Sequence, residues 1–226
     1  MSYNVCMISK VYISKSAYGV VKDYIEAMGH QLVVINGQNS MLPKAISCHS
    51  DIYLCKIGTD ADSYVFHGDS KAPVAGYPSE AIFNASVTDN YFLHKLSITS
   101  PSLLEVARDM GKTLIDVPQG YTRCNALPLP GDRIITQDAG IYKRTKDFLS
   151  TLLIEPSPVL LPGYKNGFLP GCCGRVDDKI VFNGDLSRHN SFMEIIDFID
   201  ECGLEPVWFP ELPLLDIGSI IQEVLP

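Results

Sequence analysis

The amino-acid sequence predicts an α/β protein in which five similar ββαβ units close into a ring, and three observations lead there. Segments opening at Gly76, Gly120 and Gly167 align: each starts glycine-aromatic, ends in a proline-terminated apolar run, and follows its predecessor by 44 or 47 residues. Inside each, a polar turn precedes a short β-branched or aromatic run, and a helical stretch follows. The first part of the chain carries only the back half of such a unit, while an unclaimed apolar run stands at the far end.

Taken in order, NVCMIS (4–9) predicts a strand, residues 15–28 a helix stopped by Gly29, and QLVVIN (31–36) a second strand. Residues 46–75 supply strands without a convincing helix and predict a degraded unit. In the three complete units the turns fall at Thr88 to Asn90, at Gly131 and Asp132, and at Asp177 and Asp178. The strands after them are YFLH (91–94), RIIT (133–136) and KIVF (179–182), whose side chains suit a pleated, half-buried surface. Helices follow, as in Phe192, Ile195, Ile196 and Ile199, with Ser or Asp as caps, and a third strand such as PVWFP (206–210) closes the unit. LLDIGSII (214–221) is the expected missing first strand, docking beside the N-terminal ones. Closure of that kind removes exposed sheet edges, which otherwise recruit other chains. The rival architecture is an ordinary doubly wound parallel sheet, which also alternates strands and helices.

With 46% hydrophobic and 19% charged residues over 226 positions, the chain suits a single folded domain spanning 1–226. A net charge of −8 lacks the basic footprint that phosphate backbones require, so no nucleic-acid partner is expected. MSYNVCMISK has no basic head before a long apolar run, and no stretch approaches the roughly 20 apolar residues of a membrane span. The expectation is a soluble cytoplasmic protein with no membrane partner. Seven cysteines, an odd number, fit free thiols in a reducing compartment. No cofactor and no metal is expected: adjacent Cys172 and Cys173 cannot easily share a tetrahedral ion, the histidines are scattered, and CHSD (48–51) is a short cluster.

Chemistry is expected where the units' first strands face one cavity. Cys124, in GYTRCN, and Cys173, in PGCCGR, are the candidate nucleophiles, each with an arginine nearby, Arg123 or Arg175, that would lower a thiol's pKa. Against that reading, free cysteine is among the most buried residue types and packs as a small hydrophobe. Glu80 and Asp216 are carboxylates flanked by apolar residues, suited to holding a cation or to an internal salt bridge. Read as a strand of period two, TRCNALPL places Thr122, Cys124 and Ala126 on one face and Arg123, Asn125 and Leu127 on the other. Arg123 and Asn125 are thereby the expected pocket polar groups, with Cys124 in packing. In FNGDLSRHN (182–190), Asp185 and His189 could form a dyad, but a strand-to-helix turn favours capping by Asp185 or Ser187.

From about Cys48 onward the chain resembles the pentein, or α/β-propeller, superfamily of guanidino-group-modifying enzymes, most of all the dimethylarginine dimethylaminohydrolases. The likeness lies in spacing and hydrophobic pattern. YPSEAIFNASVTDNYFLHKLSIT (77–99) looks like the unit that begins there with a Gly-Gly-Asp strand, which puts Glu80 at or beside the substrate-binding Asp. The resemblance implies a thiolate that attacks a guanidinium carbon, an imidazole that moves protons, and carboxylates that hold the cation. The family's His matches a place held here by Thr122, Arg123 or Cys124, and its Cys a place held by Ile217, Gly218 or Ser219. Both reactive residues are therefore displaced from the family pattern. Two functions follow as expectations. One is a hydrolase or transferase acting on a cationic, guanidino-like small molecule through Cys124 or Cys173, with Glu80, Arg123, Asn125, Arg175 and Asp216 in binding. The other is a noncatalytic binder, since a ribosome anti-association initiation factor shares the architecture without catalysis.

Overall fold

A computed structural model of the chain describes residues 8–37, 42–68 and 76–225. Mixed α/β structure is divided among small separate sheets: five of them, of two or three strands each, among the described residues. Four share one topology, an antiparallel pair followed by a helical crossover to a parallel third strand. In the first complete instance β5 (Ser86–Val87) pairs antiparallel with β6 (Tyr91–His94), and α2 (Pro101–Asp109) leads to β7 (Thr113–Asp116), parallel to β6. The next two repeat it. They are β8 (Ala126–Leu129), β9 (Arg133–Thr136), α4 (Ala139–Thr145) and β10 (Ser150–Leu153), then β11 (Cys173–Val176), β12 (Lys179–Phe182), α5 (Phe192–Asp200) and β13 (Glu205–Val207). The predicted strands 91–94, 133–136 and 179–182 stand as the central strands, and the predicted polar turns join the antiparallel pairs.

The fourth sheet is assembled from both ends of the chain. β1 (Ile8–Ser14), α1 (Gly19–Ala27) and β2 (Gln31–Ile35) form the parallel crossover, and β14 (Ile221–Leu225) pairs antiparallel with β1, Tyr12 opposite Ile221 and Ile8 opposite Leu225. The expected first strand therefore does arrive from the far end, but later in sequence than 214–221. Gly218 and Ser219 adopt positive φ, +68° and +72°, a conformation no strand holds, so the ladder starts only after them. Of the predicted strand 4–9, residues 4–7 lie outside the described residues, and β1 includes the other two. The fifth sheet, in the segment expected as a degraded unit, is a hairpin of β3 (Leu54–Lys56) and β4 (Val65–His67) with no crossover helix among the described residues.

Each crossover helix buries a pair spaced i, i+4 on its own sheet: Val21 and Ile25, Leu103 and Ala107, Ile141 and Thr145, Ile195 and Ile199. Asp138 caps α4, accepting from the N–H groups of Gly140 and Ile141, whereas Ser100 and Ser191 make no side-chain cap bond. Adjacent sheets meet along their first strands, β3 against β5, β5 against β8, and β11 against β14. Between β8 and β11 the contact runs through the 3₁₀ turn Leu169–Cys172. Hairpin tips are also laced together: Thr59 Oγ1 donates to Asp89, whose carboxylate accepts from Gly131 N at 2.8 Å, and Asp132 accepts from Asn90 N at 2.8 Å. Among the described residues no helix is long and apolar enough to cross a membrane.

β11 and the chain entering β14 approach so closely that a Cβ on Gly174 would stand 1.8 Å from the carbonyl oxygen of Ile220, the residue before β14. Replacing Gly174 with Ala therefore forces the two strands apart. The expected loss in urea unfolding is more than about 3 kcal/mol, against about 1 kcal/mol for Gly131→Ala, whose φ of +75° is strained but whose surroundings are open. Equal losses would show that the β11–β14 contact is not this tight.

Candidate functional site

Short helical turns precede the first strands: Ser50–Ile52 before β3, Ser79–Ala81 ahead of β5, α3 (Thr122–Asn125) before β8, and Leu169–Cys172 before β11. These turns gather side chains from distant parts of the chain. α3 is where the strand reading of TRCN fails. Asn84 Oδ1 accepts from the N–H of Arg123 at 2.8 Å and of Cys124 at 3.3 Å, satisfying amides at the start of a helical turn that a strand would leave to a ladder partner. Successive residues on such a turn diverge by about 100°, so the two-faced alternation does not apply.

Cys124 Sγ donates to Asp51 Oδ2 at 3.0 Å, and Ser219 Oγ donates to the same oxygen at 2.8 Å. His49 Nδ1 lies 4.0 Å from Asp216 Oδ1. Asp216 is fixed by backbone donors, Phe168 N to Oδ2 at 3.0 Å and Gly218 N to Oδ1 at 3.1 Å. A Cβ on Gly218 would fall 2.0 Å from the His49 Cβ, so glycine there serves both the positive φ and the approach of the imidazole. His49, Cys124 and Asp216 line one cleft of about 240 Å³ together with Tyr121, Tyr164 and Phe168. Glu80 stands behind this wall: its carboxylate accepts from the Tyr121 hydroxyl and, at 2.7 Å, from Gly76 N. It positions the tyrosine.

Burial governs the protonation of the cluster. It pushes the Asp216 carboxyl up to about 6, against the backbone donors and the Arg123 charge. It pushes the His49 imidazole down, with the Asp51 charge opposing. The Cys124 thiol is driven well above its ordinary value by burial first and then by the Asp51 and Asp216 charges. The cleft thus pairs a neutral thiol with the Asp216 carboxyl, a lining that favours a cation. One ligand atom each from His49, Asp51 and Cys124 lies within 4.8 Å of the others, a mixed N, O and S set that could hold a zinc-type ion. Two of the three come from CHSD (48–51), which looked too short to matter because its third partner is 73 positions away in sequence.

The remaining predicted residues lie elsewhere. Cys173 is buried in the largest apolar cluster, its thiol facing the Leu169 and Pro170 carbonyls at 3.8 Å, and burial pushes it up to about 12. Asn125 is buried and bonds to the Tyr121 carbonyl at 2.9 Å. Arg123 and Arg175 line a second cleft with Lys56. Asp185 accepts from Ser187 N and Oγ and pairs with Arg188, while His189 Nδ1 accepts from Ser191 N, so capping prevails over the dyad.

A family described as "Family of unknown function (DUF6873)" matches residues 62–221. The chain belongs to that family. No curated protein matches the chain, and no solved structure does. The DUF6873 match includes Cys124 and Asp216, whereas His49 and Asp51 precede it, so the cluster joins residues inside the matched segment to residues before it.

Because Asp216 carries its proton to about pH 6 when folded but releases it near 3.8 when unfolded, the folded chain binds more protons between those values. Stability from this group is present below the lower value and is lost as pH rises through the upper one. Relative to Asp216→Asn, the wild type should lose up to about 3 kcal/mol as pH is raised from about 4 to 7. Urea midpoints measured across that range check this; a difference that stays flat would contradict the burial-driven shift.

Proposed function

We propose that the chain is a five-unit α/β propeller of pentein type that binds a cationic, guanidino-like small molecule and modifies it as a hydrolase or transferase. The observation that carries this reading is the meeting of Cys124, His49 and Asp216, from three separate chain segments, in one aromatic-walled cleft. The ring is supported by the succession of neighbouring first strands and by β14 completing the sheet of β1.

In this reading the Asp216 carboxylate holds the guanidinium, with Tyr121 and Tyr164 against its faces. The bound positive charge favours the thiolate, which burial and the Asp51 and Asp216 charges otherwise disfavour. The Cys124 proton passes to Asp51, and the sulfur attacks the guanidinium carbon, forming a C–S bond while an electron pair moves onto nitrogen. Collapse breaks a C–N bond. The proton, relayed from Asp51 through His49, leaves with the departing amine. Water then attacks the same carbon and restores the thiol, releasing a ureido product; an acceptor amine in place of water gives transfer.

A second reading, binding without catalysis, is favoured by the burial of Cys124 and by its raised pKa. Incubation with arginine, agmatine and methylated arginines, with ammonia and ureido product measured, separates the two. Turnover is expected, falling at least 100-fold in Cys124→Ala and unchanged in Cys202→Ala. EDTA should leave it intact; loss in EDTA that zinc restores would move the chemistry to a metal held by His49, Asp51 and Cys124. Thermal stabilisation without turnover would establish the binder, and neither effect with any of these compounds would end both readings.

A further inference from the structure

We infer that the second cleft, lined by Lys56, Arg123 and Arg175, is an anion site for a small oxyanion, a carboxylate or phosphate group. This goes beyond the proposed catalytic reading and does not rest on it, because the two clefts share no lining residue.

The three cations come from separate parts of the chain, β3, α3 and β11, and converge in a protein whose net charge is −8. Each is aimed by backbone carbonyls that occupy only some of its donors. Lys56 Nζ donates to the Ala61 and Gln222 carbonyls at 2.8 and 2.7 Å, leaving one N–H of the ammonium. Arg123 donates to the Pro170 and Cys173 carbonyls, both at 3.0 Å. Arg175 donates to the Asp177 carbonyl at 2.7 Å and the Thr59 carbonyl at 2.8 Å. Each guanidinium has five N–H groups, so both retain free donors after these bonds.

Counter-charge is thin. Among the described residues, the one carboxylate in an ion pair with any of the three is Asp60, 3.6 Å from Arg175, with its side chain 72% exposed. Burial and the Arg175 charge hold the Lys56 ammonium down to about 8, although Asp62, Asp60 and Glu223 pull it up. Glu223 is already engaged by Tyr12 and His67. Three clustered cations repel one another where the nearby carboxylates are exposed or engaged elsewhere, and an oxyanion between them would accept the donors left over. The space of about 40 Å³ compares with roughly 10–15 Å³ for one water, which suits a group of a few heavy atoms and excludes a nucleotide.

Inorganic phosphate, acetate and sulfate, titrated into the full chain at constant ionic strength with chloride as balance, test the site by calorimetry and thermal shift. Saturable stabilisation is expected with at least one oxyanion. Phosphate alone would assign a phosphate group, acetate alone a carboxylate, and both the shared chemistry. In Lys56→Met and Arg175→Gln the apparent affinity should fall at least tenfold, while Lys179→Met, whose ion pairs lie elsewhere, keeps it. Should those variants fail to fold, amine acylation of the wild type mapped by mass spectrometry replaces them, with the effective anion protecting Lys56 but not Lys179. Absence of a saturable response, an undiminished response in Lys56→Met, or no protection of Lys56 would each overturn the site. Guanidino-compound turnover is measured independently, so either result leaves the other standing.

Discussion

A single buried carboxylate, Asp51, ties together parts of the chain that are far apart in sequence. Its Oδ2 accepts from Cys124 and Ser219, its N–H donates to the Gly218 carbonyl at 3.1 Å, and its own carbonyl accepts from Asn84 Nδ2 at 3.3 Å. A carboxylate with no solvent exposure is costly unless donors reach it. The segments carrying those donors are therefore held in one arrangement, with the helical turns before β3 and β8 and the loop before β14 sharing a junction. Oδ1 and the neighbouring Ser50 hydroxyl have no hydrogen-bond partner among the described residues, so those residues leave the junction incompletely satisfied. Native interiors rarely leave such groups alone, and where they do a ligand, ion or water commonly completes them.

That junction explains why architecture was more legible than chemistry. Strand content follows from local pattern: in YFLH, RIIT and KIVF the β-branched and aromatic residues, the preceding polar turn and the following helix point the same way, and the central strands lie where they were expected. The split sheet was legible because an orphan apolar run and an incomplete first unit each imply the other. Its register was not, because LLDIGSII looks extended by composition while Gly218 and Ser219 take positive φ to serve Asp216 and His49. The tertiary requirement overrode the local pattern at the place where the cluster is built.

The site itself was half-visible. Cys124 and Asp216 were singled out as an unusual thiol and an unusual carboxylate, and they do line one cleft. His49 and Asp51 were passed over because metal and catalytic signatures are recognised by spacing, and their partners lie at distances in sequence that spacing cannot register. A signal was available in the sequence: His49 and Asp51, separated by the single residue Ser50, in a segment otherwise rich in apolar residues. Cys173, the other candidate nucleophile, is buried in an apolar cluster, and a Cβ on the neighbouring Gly174 would stand 1.8 Å from the Ile220 carbonyl oxygen, so the chain entering β14 packs directly on β11.

The failure of the strand reading at TRCN has the widest consequence. On a strand, Arg123 and Asn125 would share a face opposite Cys124, and one pocket would take the arginine or the thiol but not both. On the helical turn that Asn84 initiates, neighbours one position apart serve different clefts: Cys124 enters the lining with His49 and Asp216, and Arg123 enters the lining with Lys56 and Arg175. The two clefts consequently have opposite electrostatic character although they meet at a single turn of backbone. The Arg123 charge still acts across that turn, pulling the Asp216 carboxyl down against its burial. By the same electrostatics, an anion beside Arg123 would weaken that pull and favour the protonated Asp216, so the occupancy of one cleft bears on the charge state of the other.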